Sequence, residues 1–335
     1  MYRILSLDGG GVRGLVPGLI LKGIEERARC RTADMFDLVA GTSTGAIVAL
    51  GLLRPSMTGR PARTAQEVVD FYLAVSRTIF RRSWRHRIVS ANGLLGPRYD
   101  AAALERSLEE EFGSAMLAEA VQEVLITSYD IKAREPRIFK SREMTIDGRQ
   151  QVQLMKDVLR ATAAAPTYFS PARLIEDGCD LHLVDGGTVA NNPTLCAYAH
   201  AMDLVIRGVS DFAADEVVVL SIGTGAVGFD FATRSTLHGG ALGWAKPLFD
   251  IVLDAQEDAV HYQMKRLLPE GERYFRLQPE LPQAVDGRRT RVNEIDNAGA
   301  ENLRHLRSSA MELLADTDTI DRIVDAFRPT AGSRQ

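Results

Sequence analysis

The residues best placed to do chemistry begin with Ser43. The run Gly41-Thr42-Ser43-Thr44-Gly45 has the form G-x-S-x-G. A nucleophilic serine must hold its hydroxyl above a sheet on a sharp strand-to-helix turn, and small neighbours let the backbone bend that tightly. A helix starting there aims its positive end at the site and favours a developing oxyanion. Taken alone, the pattern also fits a plain strand-to-helix turn. A second constellation is Asp8-Gly9-Gly10-Gly11-Val12-Arg13-Gly14. Consecutive glycines can turn several N–H groups toward one point. Such a nest can hold the oxygen of a tetrahedral intermediate, each well-placed donor contributing about 3–4 kcal/mol.

The same glycines allow a rival chemistry. Gly9, Gly11 and Gly14 satisfy G-x-G-x-x-G, the dinucleotide fingerprint of an oxidoreductase. That reading wants an acid at the end of the next strand. The next apolar run ends instead in Gly41-Thr42-Ser43, and Asp34 and Asp37 lie before it.

A third piece is Leu183-Val184-Asp185-Gly186-Gly187. Asp185 closes a short apolar run, where a strand end would place it at the edge of a site. Read alone, it is equally a turn aspartate capping its own loop. A serine hydrolase usually uses a histidine as base. Of the six present, His86, His182, His200, His238, His261 and His305, none lies in a glycine turn or beside these motifs. His200 and His261 read as helix-surface residues. A triad stays open, without positive support.

Around these residues the chain alternates strand and helix signals. Strand-like runs cover Arg3–Leu7, Asp37–Ala40, Glu123–Thr127, Arg137–Lys140, Leu181–Val184, Val217–Ile222 and Tyr274–Leu277. Helical periodicity covers Leu15–Arg27, Thr64–Phe80, Ala101–Phe112, Leu154–Ala164, Pro193–Ile206, Leu242–Leu267 and Asp296–Leu314, and another helix runs from Ser43 to about Leu53. Asn192 before Pro193 suits a capped start. Strand, glycine turn and helix, twice within the first 55 residues, predicts a parallel α/β sheet. Nothing resembles a linker, so residues 1–328 read as one domain and 329–335 as a disordered tail.

Composition narrows the classes. The 335 residues are 45% hydrophobic and 25% charged, ordinary for a globular core. A net charge of −4 argues against a general binder of nucleic acid polymers. Cys30, Cys179 and Cys196 show no metal-ligand spacing and read as reduced thiols of a cytosolic protein. The start is too short in apolar residues for a signal peptide. The apolar stretch Leu38–Leu53 is broken at its centre by the Ser43 turn, so no membrane span is expected.

Taken together and in this order, the Asp8–Gly14 loop, the Gly41–Gly45 turn and Asp185-Gly186-Gly187 resemble the patatin-like phospholipase family. The resemblance runs from about Arg3 to Phe327. It includes Thr127-Ser128-Tyr129-Asp130, the stretch Ala161 to Phe169, Asn191-Asn192-Pro193 and Ser221-Ile222-Gly223-Thr224-Gly225. It implies a three-layer α/β/α fold with a mostly parallel sheet, and a Ser43–Asp185 dyad without histidine. By the same resemblance, Gly10 and Gly11 donate to the oxyanion, Gly9 shapes their loop, and Asp8, Arg13, Gly14, Gly41, Gly45, Gly186 and Gly187 support the motifs. Glycerophospholipids and related acyl esters are the implied substrates, at a phospholipid membrane surface. No metal or organic cofactor is implied.

More narrowly, the compact length and runs such as Ile126–Ile131 and Arg134-Glu135-Pro136 resemble bacterial antiphage phospholipase effectors, which a cyclic dinucleotide activates to degrade the host membrane from its inner face. Between Arg77 and Arg98 lie Arg81, Arg82, Arg85 and Arg87, with Phe80, Trp84, Leu94 and Leu95 and no acid. Such a run can meet an anionic bilayer, at about 1 kcal/mol per basic residue. It can equally hold nucleotide phosphates, or form a solvated helix end or a homo-oligomer contact. The sequence leaves these open.

Overall fold

A computed structural model describes residues 1–80, 96–142, 152–176, 178–227, 240, 244, 247–281 and 293–329. Its centre is strand β1 (Tyr2–Leu7), flanked in parallel by β2 (Leu38–Gly41) and β7 (Val217–Ile222). All six residues of β1 and of β7 are buried. Strands covered on both faces read as near-continuous apolar runs, which is why these two, interrupted only by Arg3, Ser6 and Ser221, were legible in the sequence. Beyond β7 lies β9 (Tyr274–Leu277), and beyond β2 lies β3 (Glu123–Asp130), both also parallel.

Helices cover both faces. Leu5 and Leu7 of β1 point into a core shared with α1 (Leu15–Ala28), α3 (Thr44–Leu53), α4 (Ala65–Ile79), α10 (Ala300–Leu314) and α11 (Thr317–Phe327). Tyr2 and Ile4 point the other way, against α8 (Thr194–Ile206) and α9 (Pro247–Leu267). The result is the expected three-layer α/β/α arrangement. Short α2 (Thr32–Met35), α5 (Ala101–Phe112), α6 (Met155–Thr162) and α7 (Gly187–Ala190) complete the helices described below.

The far side of β3 determines the site. Strand β4 (Glu135–Lys140) pairs antiparallel along Leu125–Asp130 on one edge of β3. The other edge is shared. β2 occupies Glu123–Ile126, and β6 (Cys179–Asp185), antiparallel, occupies Ser128–Asp130. β2 and β6 therefore run toward each other along one edge of β3 and end face to face. Strand β5 (Ala172–Glu176) extends β6, and a small separate pair, β8 (Ala226–Val227) with β10 (Glu280–Leu281), lies outside this sheet.

Several expectations are corrected. Asp185 does close a strand, but one that descends onto the parallel sheet instead of rising with it. The helix expected from Leu154 to Ala164 ends at Thr162, because the Thr162 and Ala164 carbonyls turn to accept from Gly186 N and Asp185 N at 3.3 and 3.0 Å. The helix expected from Asp296 starts at Ala300. Asn297 makes a turn by accepting from Gly299 N, and Asp296 is buried against Tyr99 and Arg98. α8 starts at Thr194, whose N–H donates to Asn192 Oδ1 at 3.0 Å, so Pro193 is the cap residue itself. The elements β5, α2, α7, α11 and the β8–β10 pair were not anticipated. Of the upstream part of the helix expected from Leu242, residues 242, 243, 245 and 246 lie outside the described residues, as does the tail beyond residue 329.

Candidate active site

Ser43 sits between β2 and α3 with φ 52° and ψ −117°, in a region L-residues rarely adopt. Such strain persists only where the surroundings over-determine it. Here they do. Ser43 N donates to Thr162 Oγ1 at 2.9 Å, and the carbonyls of Thr42 and Ser43 accept from Gly45 and Ala46. Gly45 must be glycine, since a Cβ there would lie 2.2 Å from the Leu7 carbonyl oxygen of β1. Below the turn, Thr42 Oγ1 lies 2.6 Å from Thr127 Oγ1 of β3, on the edge where β2 and β6 meet. Ser43 is only 8% exposed.

The head-on meeting of β2 and β6 brings the two carriers of the chemistry together. Ser43 Oγ donates to Asp185 Oδ2 at 2.6 Å. The other carboxylate oxygen, Oδ1, accepts from Gly187 N at 2.7 Å. Burial raises the Asp185 carboxyl from its ordinary 3.8 to about 6, against the opposing pull of the Ser43 and Gly187 hydrogen bonds. Desolvation disfavours the ionised form and makes the carboxylate a better base.

The glycine loop faces the same space. Gly10, Gly11, Ser43 and Asp185 line one cavity. Gly9 N is engaged, donating to Asn191 O at 3.0 Å. Gly10 N and Gly11 N have no acceptor among the described residues. Gly11 takes φ +58°, and a Cβ there would meet the Ile295 carbonyl at 2.1 Å. The remaining wall is largely apolar, with Ile47, Val75, Ile79, Leu104, Phe169 and Leu253 among its residues.

The supporting motif residues fall around this centre. Asp8 is wholly buried and paired with Arg276 of β9 at 2.6 Å. Its carboxyl is raised by burial, against the pull of that guanidinium. Arg13 lies buried with Nη1 3.5 Å from the Gly225 carbonyl. Gly14 packs against Thr44 and Tyr72, Gly41 ends β2, and Gly186 packs against Thr127. Sequence reasoning assigned no role to Thr162, Asn191 or Thr224, although all three lie in the quoted motif stretches. Glu257 and Arg276 carried no signal at all.

Among the described residues, no histidine lines this cavity. His182 pairs with Asp180. His200 and His261 are not free surface residues: His200 Nε2 lies 2.9 Å from Glu123 and His261 Nδ1 3.0 Å from Tyr274 Oη. His86 and His238 lie outside the described residues, as do Arg81, Arg82, Trp84, Arg85, Arg87, Leu94 and Leu95 of the basic run. Of its ends, Arg77 is exposed, whereas Arg98 is tied to Asp296 at 2.8 Å beside the Tyr168 ring. No His/Cys/Asp/Glu group suited to a metal occurs among the described residues. Nor is any helix among them long and apolar enough to cross a membrane.

The patatin-like phospholipase model matches residues 5–198, which contain the glycine loop, Ser43 and Asp185. The chain belongs to that family. It is 34% identical to patatin-like protein 2 of Arabidopsis thaliana over 94% of this chain and 83% of the relative. It is 30% identical to patatin-like protein 1 of the same plant, over 94% and 81%. Patatin group A-3 of Solanum tuberosum is 30% identical over 98% of this chain and 88% of its own length. This patatin-like chain is thus a lipid acyl hydrolase, and the dinucleotide-dependent oxidoreductase is set aside.

Proposed function

We propose that the chain hydrolyses acyl esters of glycerophospholipids through a Ser43–Asp185 dyad. The observation that carries this is the 2.6 Å hydrogen bond from Ser43 Oγ to a buried carboxylate in an apolar cavity. Ser43 Oγ attacks the ester carbonyl as its proton passes to Asp185 Oδ2. The carbonyl oxygen becomes an oxyanion, which the Gly10 and Gly11 N–H groups hold. Collapse expels the alcohol, which takes the proton from Asp185 and leaves an acyl-Ser43 ester. Asp185 then takes a proton from water as it attacks that ester. The second tetrahedral intermediate expels Ser43 Oγ, which regains the proton, and the fatty acid is released.

The apolar wall supports a fatty acyl group as occupant, since small-ligand sites are largely apolar with a few placed polar groups. Lipid mass spectrometry on phospholipid vesicles tests the reading. Wild type releases fatty acid and lysophospholipid, and Ser43→Ala does not. Equal release by both would refute it.

The finer reading is a switch: a cyclic dinucleotide turns the enzyme on at the inner face of a membrane, in antiphage defence. Its support is the resemblance noted above and the basic run Arg77–Arg98. The nucleotide would have to prefer the active state. Titrating cyclic dinucleotides while following vesicle hydrolysis tests it. High constitutive activity unchanged by every nucleotide would count against the switch.

A further inference from the structure

The Gly9–Gly10 peptide is gripped by its carbonyl. Thr224 Oγ1 donates to Gly9 O at 3.0 Å, and Asn191 Nδ2 reaches the same oxygen at 3.4 Å. No peptide bond among the described residues is cis. In a planar trans peptide the C=O and N–H point in opposite directions, so fixing one aims the other. The group aimed here is the Gly10 N–H, one of the two loop donors without a protein acceptor among the described residues.

The grip is braced in turn. Asn191 Nδ2 also donates to Glu257 Oε1 of α9 at 2.5 Å. Glu257 Oε2 accepts from Gln278 Nε2 at 3.1 Å and lies 3.6 Å from Arg276. Asn191 N donates to Gln256 Oε1 at 3.1 Å, and Asn191 O accepts from Gly9 N. Both ends of Gly9 are therefore tied to a residue that α9 holds twice. Thr224 follows β7, is 1% exposed, and packs against Gly10, where a Cβ would lie 2.3 Å from its Oγ1. A hydroxyl has one proton to give, and the Thr224 proton goes to the Gly9 carbonyl.

We propose that Thr224 and Asn191, the latter braced by Glu257, are positioning residues that aim the Gly10 N–H at the oxyanion. This rests on the dyad reading above. Proline at Gly10 or Gly11 is a poor probe, because φ values of 166° and 58° lie far from the −65° that proline imposes. Thr224→Val removes the hydroxyl and keeps the volume.

The experiment compares wild type, Thr224→Val and Thr224→Ser on a soluble p-nitrophenyl ester, with fluorophosphonate labelling of Ser43 and a matched melt. Thr224→Val should lower kcat by about 10- to 100-fold, less than or at most equal to loss of a whole donor, with KM within about twofold. Labelling should slow by a similar factor, because the phosphoryl oxygen occupies the same hole. Thr224→Ser should recover kcat to within about threefold. Should Thr224→Val not fold, Thr224→Ala gives the same readout. A folded variant lacking the hydroxyl that keeps wild-type kcat and labelling rate overturns the inference and leaves the dyad standing. So does a loss that tracks only the melting temperature and is shared by Thr224→Ser. Absence of Ser43 labelling in wild type would defeat the dyad reading and this inference together.

Discussion

Asp185 presents its two oxygens to different tasks: Oδ2 accepts from Ser43 Oγ at 2.6 Å, while Oδ1 is fixed by Gly187 N at 2.7 Å. The carboxylate cannot rotate without breaking the second bond. Its backbone N–H is bonded to Ala164 O as well. The base is therefore oriented from two sides before any substrate arrives.

Its burial makes two pH-dependent predictions. As a base Asp185 must be ionised, so kcat/KM should fall below an apparent pKa near the site's value of about 6. For stability the sign is the reverse of a salt-bridged acid. The folded state keeps the proton up to about pH 6, whereas the unfolded chain releases it near 3.8. Stability from this group therefore declines as pH rises from about 4 to 6, to a cost of about 3 kcal/mol above that window. Asp185→Asn should be inactive yet more stable than wild type at pH 8, the gain shrinking toward pH 4 in denaturant titrations. A less stable Asp185→Asn at pH 8 would contradict this.

The strained Ser43 backbone separates two inactive variants. Both Ser43→Ala and Ser43→Gly should lose roughly 10⁶ in rate, by analogy with the nucleophile of a serine protease. Glycine, however, relieves the φ 52° conformation, which costs of order 1–3 kcal/mol for other residues. After its own entropy cost of about 0.5–1 kcal/mol, Ser43→Gly should still be about 1 kcal/mol more stable than Ser43→Ala. Urea midpoints measure the difference, and equal midpoints would argue against strain at the turn.

Histidine substitutions should split activity from stability. His200→Ala leaves the buried Glu123 with a partner removed, which should cost about 1–3 kcal/mol. Its kcat, measured on the folded fraction, should stay near wild type. The same kcat holds for alanine at His182, His261 and His305. A folded histidine variant as inactive as Ser43→Ala would replace the dyad with a triad.

Removing one partner of the buried Asp8–Arg276 pair should be costly. Arg276→Met leaves the Asp8 and Glu257 carboxyls without their shared cation. Breaking such a pair typically costs about 3–5 kcal/mol. A melt showing less than about 1 kcal/mol of loss would mean that water or another group neutralises Asp8.

The catalytic pieces were legible because each lies in a local signature: glycines where the backbone is crowded, and Ser43 and Asp185 at ends of apolar runs. The direction of β6 was not, since a strand's pairing partner is a tertiary property that its own residues leave unspecified. α11 did carry a signal, with Ile320, Ile323, Val324 and Phe327 at helical spacing behind the cap Asp316. Glu257 and Arg276 show no motif because they act by pairing with residues far away in sequence.

That long-range pairing has a consequence for biosynthesis. Chains emerge from the ribosome at about 5–20 residues per second, N-terminus first. Ser43 and Asp185 are exposed to the cell well before Arg276 has been made. Until then the carboxyl of Asp8, at the end of the central strand, lacks its counter-ion, and β7 lacks the neighbour that completes its edge. Closure of this buried pair around the central strand therefore waits until synthesis has run 268 residues beyond Asp8.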